Sequence, residues 1–266
     1  MIHLRSIDIR SAENQQGFPF NLPFVKTWSK LNFNNPVTYF VGENGSGKST
    51  LMEAIACAVG SITVGSESAV TDPTLNDLRS LSRMMKLIWN KRTRRGFFLR
   101  AEDFFGYIKQ QTKTRTELRN YLQRVDKDYA NHSLFAQSQA RLAYARELSD
   151  MKNRYGDGLD VNSHGESYLE LFQTRFVPGG LYLLDEPEAA LSPLRQLGFL
   201  SLLKAMVEQQ AQFIIATHSP ILMAYPDAKI ISFDHIPLKI VDWDTLEHVT
   251  LTRDFLNNRE SFLRYI

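Results

Sequence analysis

The sequence predicts an α/β fold with a largely parallel sheet flanked by helices, and three observations predict it. Val37–Val41, Leu181–Leu184 and Phe213–Ala216 are short apolar runs of the kind that strands buried on both faces require. Each run ends in a polar cluster: Gly42–Thr50, Asp185–Glu188 and Thr217–Pro220. Helical patterns follow the first two, the alternation from which parallel sheets are built.

In chain order, Ile2, Leu4, Ile7 and Ile9 alternate with polar residues as a first strand, with one slip of phase at Ser6. Residues 11–35 are rich in Asn, Gln, Gly, Pro and aromatics and read as irregular, with a strand near Lys30–Phe33. Pro36 opens the strand Val37–Val41, and after the glycine-rich turn Leu51, Ile55, Ala58 and Val59 share one helical face up to Gly60. Residues 61–78 read as loop. From about Thr114 to Tyr155 two apolar stripes predict one or two helices, too short for a long coiled-coil arm. A further helix follows Asn162 and stops at Pro178-Gly179-Gly180; another covers roughly Pro193–Gln210. Short strands near Lys229–Phe233 and Lys239–Asp242 and a helix near Thr252–Ile266 complete the reading.

With 266 residues, 43% hydrophobic and 23% charged, the chain has the composition of an ordinary globular protein, which excludes global disorder and collagen-like repeats. Its single cysteine, Cys57, excludes a disulfide framework and any multi-cysteine metal site. No apolar run approaches the ~18 residues of a membrane span, and the charged start Met1–Arg10 is unlike a secretory leader. A cytoplasmic location is expected. A net charge of +2 identifies no partner.

Gly42-Glu43-Asn44-Gly45-Ser46-Gly47-Lys48-Ser49 satisfies G-x-x-x-x-G-K-[ST] between a strand and a helix. Such a loop wraps consecutive N–H groups and a helix N-terminus around phosphate. ATP is the expected ligand: Lys48 would reach the β and γ phosphates, Ser49 would hold Mg²⁺, and Thr50 lies near the α phosphate. The strand Leu181–Leu184 delivers Asp185 to the carboxyl edge of the sheet, where open α/β sheets bind ligands. Asp185 would hold hydrated Mg²⁺, and Glu186 would orient and deprotonate a water. His218 closes the next strand, placed to donate a hydrogen bond to the terminal phosphate.

In this order Gly42–Thr50, Ser163-His164-Gly165-Glu166-Ser167, Leu181–Pro187, Ala189-Ala190-Leu191-Ser192 and Thr217-His218-Ser219-Pro220 resemble the P-loop, signature, Walker B, D-loop and switch histidine of ABC-type ATPases. The likeness is to small stand-alone AAA ATPases of the Rad50/SMC/RecF-like branch. It implies a P-loop NTPase fold with an antiparallel β portion, an ATPase core at 1–60 and 161–266, and an inserted helical lobe at 61–160. It further implies a head-to-tail homodimer in which Ser163 and the Gly165 backbone contact the ATP of the partner. The signature differs from the Leu-Ser-Gly-Gly-Gln of transporter ATPases, and the family's Q-loop glutamine has no clean counterpart. Glu102 is the candidate for that metal-linking place, ahead of Gln110 and Gln111.

Residues 79–100 carry eight basic side chains and no acidic one, with Trp89, Phe97 and Phe98 among them. Such a segment can track a nucleic-acid backbone or form a solvated face that meets an acidic partner protein. Three functions stay open: an ATPase that passes its closure to a partner, a low-turnover nucleotide-gated regulator of a toxin or antiviral pair, and the energy module of a membrane transporter.

Overall fold

The computed structural model describes residues 1–9, 15–64, 75–155 and 164–264. Two compact units divide the chain, one formed by Met1–Ala101 with Phe176–Ile266, the other by Glu102–Arg175. The boundaries therefore fall at 101 and 176, not at the expected 60 and 161. The reason lies in strand pairing: two strands between residues 61 and 101 hydrogen-bond to strands of the first unit.

The first unit holds two sheets. An antiparallel sheet has the order β2-β1-β4, from β1 (Leu4–Ile9), β2 (Leu31–Asn32) and β4 (Met85–Trp89). The phase slip read at Ser6 is a register shift between Leu4 and Ser6 in the β1–β4 ladder, as a bulge produces. The second sheet has the order β5-β6-β7-β3-β8-β9. Its members are β3 (Val37–Val41), β5 (Phe98–Arg100), β6 (Leu181–Asp185), β7 (Gln212–Ala216), β8 (Lys229–Ser232) and β9 (Lys239–Val241). All pairs in it are parallel except β8–β9. β3, β6 and β7 are buried throughout, which explains why they show apolar runs instead of alternation.

Helix α1 (Pro23–Lys26) is a single turn, and α2 (Lys48–Val59) is sandwiched in the main core. Its Leu51, Met52, Ile55 and Ala56 pack with Leu4 and Ile7 of β1, Phe40 of β3 and Ile214 of β7. Helix α3 (Leu78–Met84) contributes Leu78 and Leu81 to the same core. Elsewhere in the unit, Phe97, Phe176, Tyr182 and Phe213 form an aromatic cluster with ring centroids 4.5–5.7 Å apart. One buried side chain ties β1 to β7: Gln212 Oε1 accepts from the His3 and Leu4 amides at 2.8 Å, and Nε2 donates to Leu4 O at 2.9 Å.

The second unit is helical. Helix α4 (Ala101–Asp128) starts well before the expected Thr114, and α5 (Leu134–Tyr155) returns beside it with Tyr121 stacked on Tyr144. Helix α6 (His164–Arg175) brings Tyr168 edge-on to Phe104 at 4.1 Å and Arg175 to the Tyr107 hydroxyl at 2.9 Å. Back in the first unit, α7 (Pro193–Glu208) and α8 (Pro220–Met223) follow β6 and β7. The last helix was expected at 252–266. Instead α9 (Glu247–Asn257) starts earlier, because Leu246 and Val249 are buried, and Asn258 separates it from α10 (Arg259–Leu263).

Candidate nucleotide site

Three strand ends build the site. Gly42–Gly47 turns β3 into α2, and the turn needs glycine twice. Gly42 has φ +141°, and a Cβ there would stand 2.8 Å from Asp234 Oδ1; at Gly47, φ +99°, it would meet the Phe24 ring at 2.6 Å. Phe24 packs in the core and Asp234 Oδ1 accepts the Glu43 amide at 2.7 Å, so both walls of the turn are fixed. Lys48 is buried and donates from Nζ to Gly42 O at 2.6 Å and Glu43 O at 2.9 Å. Burial lowers its pKa, opposed by the charges of Asp185, Glu186, Asp234 and Glu43.

At the end of β6, burial raises the Asp185 carboxyl to about 7. A hydrogen bond from Ser49 lowers it, while Glu186 and Glu53 push it further up. Glu186 has φ +50°, a left-handed conformation unusual for a residue with a side chain. Its Oε1 lies 3.8 Å from His218 Nε2, with both side chains part-exposed. Burial and the charge of Lys48 lower the His218 pKa, against the opposing pull of Glu186, so the ring is neutral at neutral pH.

The structure thus brings Lys48, Ser49, Asp185, Glu186 and His218 together, each from the element the sequence indicated. Gly42, Glu43, Asn44, Gly45, Ser46 and Gly47 form the turn, and Thr50 stands in the first turn of α2. Among the described residues, four buried polar atoms here have no hydrogen-bond partner: Ser46 Oγ, Asp185 Oδ1, Glu188 Oε2 and His218 Nε2. Buried polar groups are nearly always paired, and a phosphate chain with a divalent cation would supply partners to a hydroxyl, a carboxylate and a ring nitrogen alike. Among the described residues no group of three or more His, Cys, Asp or Glu forms a metal cage. Magnesium at a phosphate site needs only one or two protein ligands, which Ser49 and Asp185 can supply.

Two predicted positions yield less. Ser163 lies outside the described residues, and Gly165 is the second residue of α6, in the helical unit. Glu102 is the second residue of α4, and its side chain is outside the described residues.

Sequence reasoning passed over Glu188. Its Oε1 accepts from Thr217 Oγ1 at 2.6 Å, His218 N at 2.7 Å and Ser219 N at 3.2 Å, so one carboxylate grips the whole turn after β7. Burial raises its pKa and those hydrogen bonds oppose the rise. Its place in the same acidic strand end as Asp185 was the available signal. The segment 79–100 does not act as one patch. Arg79 and Arg83 lie on α3, Lys86 is in β4, and Arg100 pairs with Glu53 at 3.4 Å. Lys91, Arg92, Arg94 and Arg95 remain together on the β4–β5 loop, lining a pocket of about 670 Å³ with His3 and Gln210.

No described helix is long and apolar enough to cross a membrane. No curated protein matches the sequence. Among solved structures, similar ones include the Smc head domain with an extended coiled coil bound to the C-terminal domain of ScpA, derived from Pyrococcus furiosus. It is 14% identical over 97% of this chain and 100% of that one, with a TM-score of 0.45. Another is cbiO1 from Clostridium perfringens, part of the ABC transporter complex cbiONQ, at 16% identity, 100% of each chain and TM-score 0.43. The SMC head domain from Thermotoga maritima is 19% identical over 90% of this chain and 98% of that one, TM-score 0.39. A family model described as an AAA domain matches residues 22–154, half of the chain. A second AAA-domain model, whose description mentions the AbiEii toxin and a type IV toxin–antitoxin system, matches 172–224. The P-loop falls inside the first match and Asp185, Glu186 and His218 inside the second: the chain belongs to the AAA-domain family.

Proposed function

We propose that the protein binds ATP with Mg²⁺ and hydrolyses it to ADP and phosphate, in a head-to-tail homodimer whose closure is passed to a partner. The observation that carries this reading is the meeting of Lys48, Ser49, Asp185, Glu186 and His218 around buried polar atoms that have no partner among the described residues. The P-loop amides and Lys48 bind and orient the phosphates. Ser49 and Asp185 would hold Mg²⁺, which supplies charge neutralisation on the phosphate oxygens. Glu186, with its side chain 45% exposed, has access to a water and takes its proton. The neutral His218 ring donates a hydrogen bond to the terminal phosphate.

Ser163 and the Gly165 backbone complete the site of the opposing protomer, so a two-fold dimer holds two nucleotides. Lys48→Ala should weaken ATP binding roughly a hundredfold by calorimetry, since it removes a charge-assisted contact. Ser163→Arg should bind ATP and lack turnover. Mixing it with Lys48→Ala should restore part of the activity; full hydrolysis by an isolated wild-type monomer would sink the composite site.

A second reading is a low-turnover, nucleotide-gated regulator, favoured by the toxin–antitoxin wording of the model that matches 172–224. Phosphate release measured with and without DNA or RNA separates the two: tight binding with negligible release under every condition selects the regulator.

A further inference from the structure

His218 has a second histidine behind it. His248 Nε2 lies 3.2 Å from His218 Nδ1, with the rings tilted by 55° and their centroids 5.3 Å apart. Two ring nitrogens at that distance need one proton between them, because facing lone pairs repel and facing N–H groups clash. The question is which ring donates.

The other side of His218 decides. Among the described residues its Nε2 has no hydrogen-bond partner, and it lies 3.8 Å from Glu186 Oε1, a carboxylate oxygen that accepts. A lone pair on Nε2 would face that carboxylate unfavourably, whereas an N–H is attracted to it. A neutral imidazole carries one ring proton, and burial with the nearby Lys48 charge keeps this ring neutral. With the proton on Nε2, Nδ1 must accept, so His248 must donate.

The segment carrying His248 is held for that task. Leu246 and Val249 are buried on either side of it. Trp243 Nε1 donates at 3.0 Å to Pro220 O, two residues beyond His218. Arg253 covers the Trp243 ring at 5.5 Å and pairs with Asp244 at 3.0 Å. Glu188 fixes the His218 backbone from the opposite direction.

We propose that His248 is a positioning residue: it donates its Nε2–H to Nδ1 of His218 and holds that ring in the tautomer whose proton faces the nucleotide. The inference rests on the reading of His218 as a donor to the terminal phosphate, and adds the group that orients it. Nitrogen-15 NMR of the full-length protein, with the His218 signals identified by their loss in His218→Gln, reads the tautomer directly. Protonated Nε2 and bare Nδ1 are expected in the wild type. His248→Ala should let the other tautomer appear and lower kcat roughly tenfold, the effect typical of removing the outer partner of a working histidine, while KM for ATP stays within about twofold. His248→Gln, whose amide N–H₂ can donate from nearly the same place, should restore both tautomer and rate. A wild-type His218 protonated on Nδ1 would overturn the proposal even if His248→Ala failed to fold. Equal loss of rate in the Ala and Gln variants would overturn it too, as the mark of a packing role. If instead Lys48→Ala bound ATP as the wild type does, the nucleotide reading would fall while the tautomer result stood.

Discussion

At the carboxyl end of the parallel sheet Asp185 is 7% exposed, Lys48 is 5% exposed, and buried polar atoms go without partners. At the amino end of the same sheet Lys91, Arg92, Arg94 and Arg95 stand in solvent on the loop that leads into β5. The loop is held from below by ordinary bonds, Thr93 Oγ1 to Gly179 O at 3.0 Å and Arg95 Nη1 to Pro178 O at 3.2 Å. One edge thus concentrates charge where desolvation is expensive, and the other spreads it where water screens it. The raised Asp185 pKa and the left-handed Glu186 belong to the first edge. Electrostatic and backbone tension of this kind clusters at functional sites; a row of solvated cations does not by itself mark one.

The contrast can be tested by size of effect. Largest is the loss of the proposed base: Glu186→Gln should keep ATP affinity and lower kcat by roughly 10²–10⁴, trapping a nucleotide-bound dimer visible by size-exclusion chromatography. Hydrolysis at the unmutated rate would remove Glu186 from the mechanism.

Next is the proton on Asp185. Its folded-state pKa of about 7 lies above the ordinary carboxyl value of 3.8. Stability that depends on the bound proton is fully present below the lower value and is lost as pH rises to about 7. Asp185→Asn should therefore stabilise the metal-free protein at pH 8, on the order of 4 kcal/mol, and change little at pH 4. The same proton competes with Mg²⁺, so metal-dependent stabilisation of the wild type should grow as pH rises toward 7. Thermal melts with and without Mg²⁺ across this range check both.

The smallest effect belongs to the amino edge. Arg92→Glu with Arg94→Glu should leave folding stability within about 0.5 kcal/mol. If the loop follows a nucleic-acid backbone, the same variant should flatten the dependence of oligonucleotide affinity on salt by about one unit per lost cation. An unchanged slope would assign the loop to solvent.

The carboxyl edge could be read from the sequence because its information is local. Gly42–Ser49, Asp185-Glu186 and His218 each sit directly after an apolar run, and a parallel sheet aligns such ends automatically. Strands β4 and β5 were hidden for the opposite reason. Met85-Lys86-Leu87-Ile88-Trp89 is only half-buried in a three-stranded sheet and lies in a run of basic residues, while Phe98–Arg100 merges into the helix at Ala101. The displaced start of α9 and the approach of His248 to His218 depend on contacts between distant parts of the chain. No spacing in the sequence records such a meeting. Glu188 stood in view, but only the folded turn shows which amides it serves.

The Gln212 link between β1 and β7 also has a consequence for how the molecule is made. Its amide joins residues 208 positions apart, and β3 takes both its neighbours, β7 and β8, from beyond the helical unit. On a ribosome the first three strands emerge long before either neighbour of β3 exists, leaving its apolar surface waiting while the helices of 102–175 acquire their own local order. Completion of the central sheet must then come late, set by translation and guarded by whatever shields nascent chains from one another.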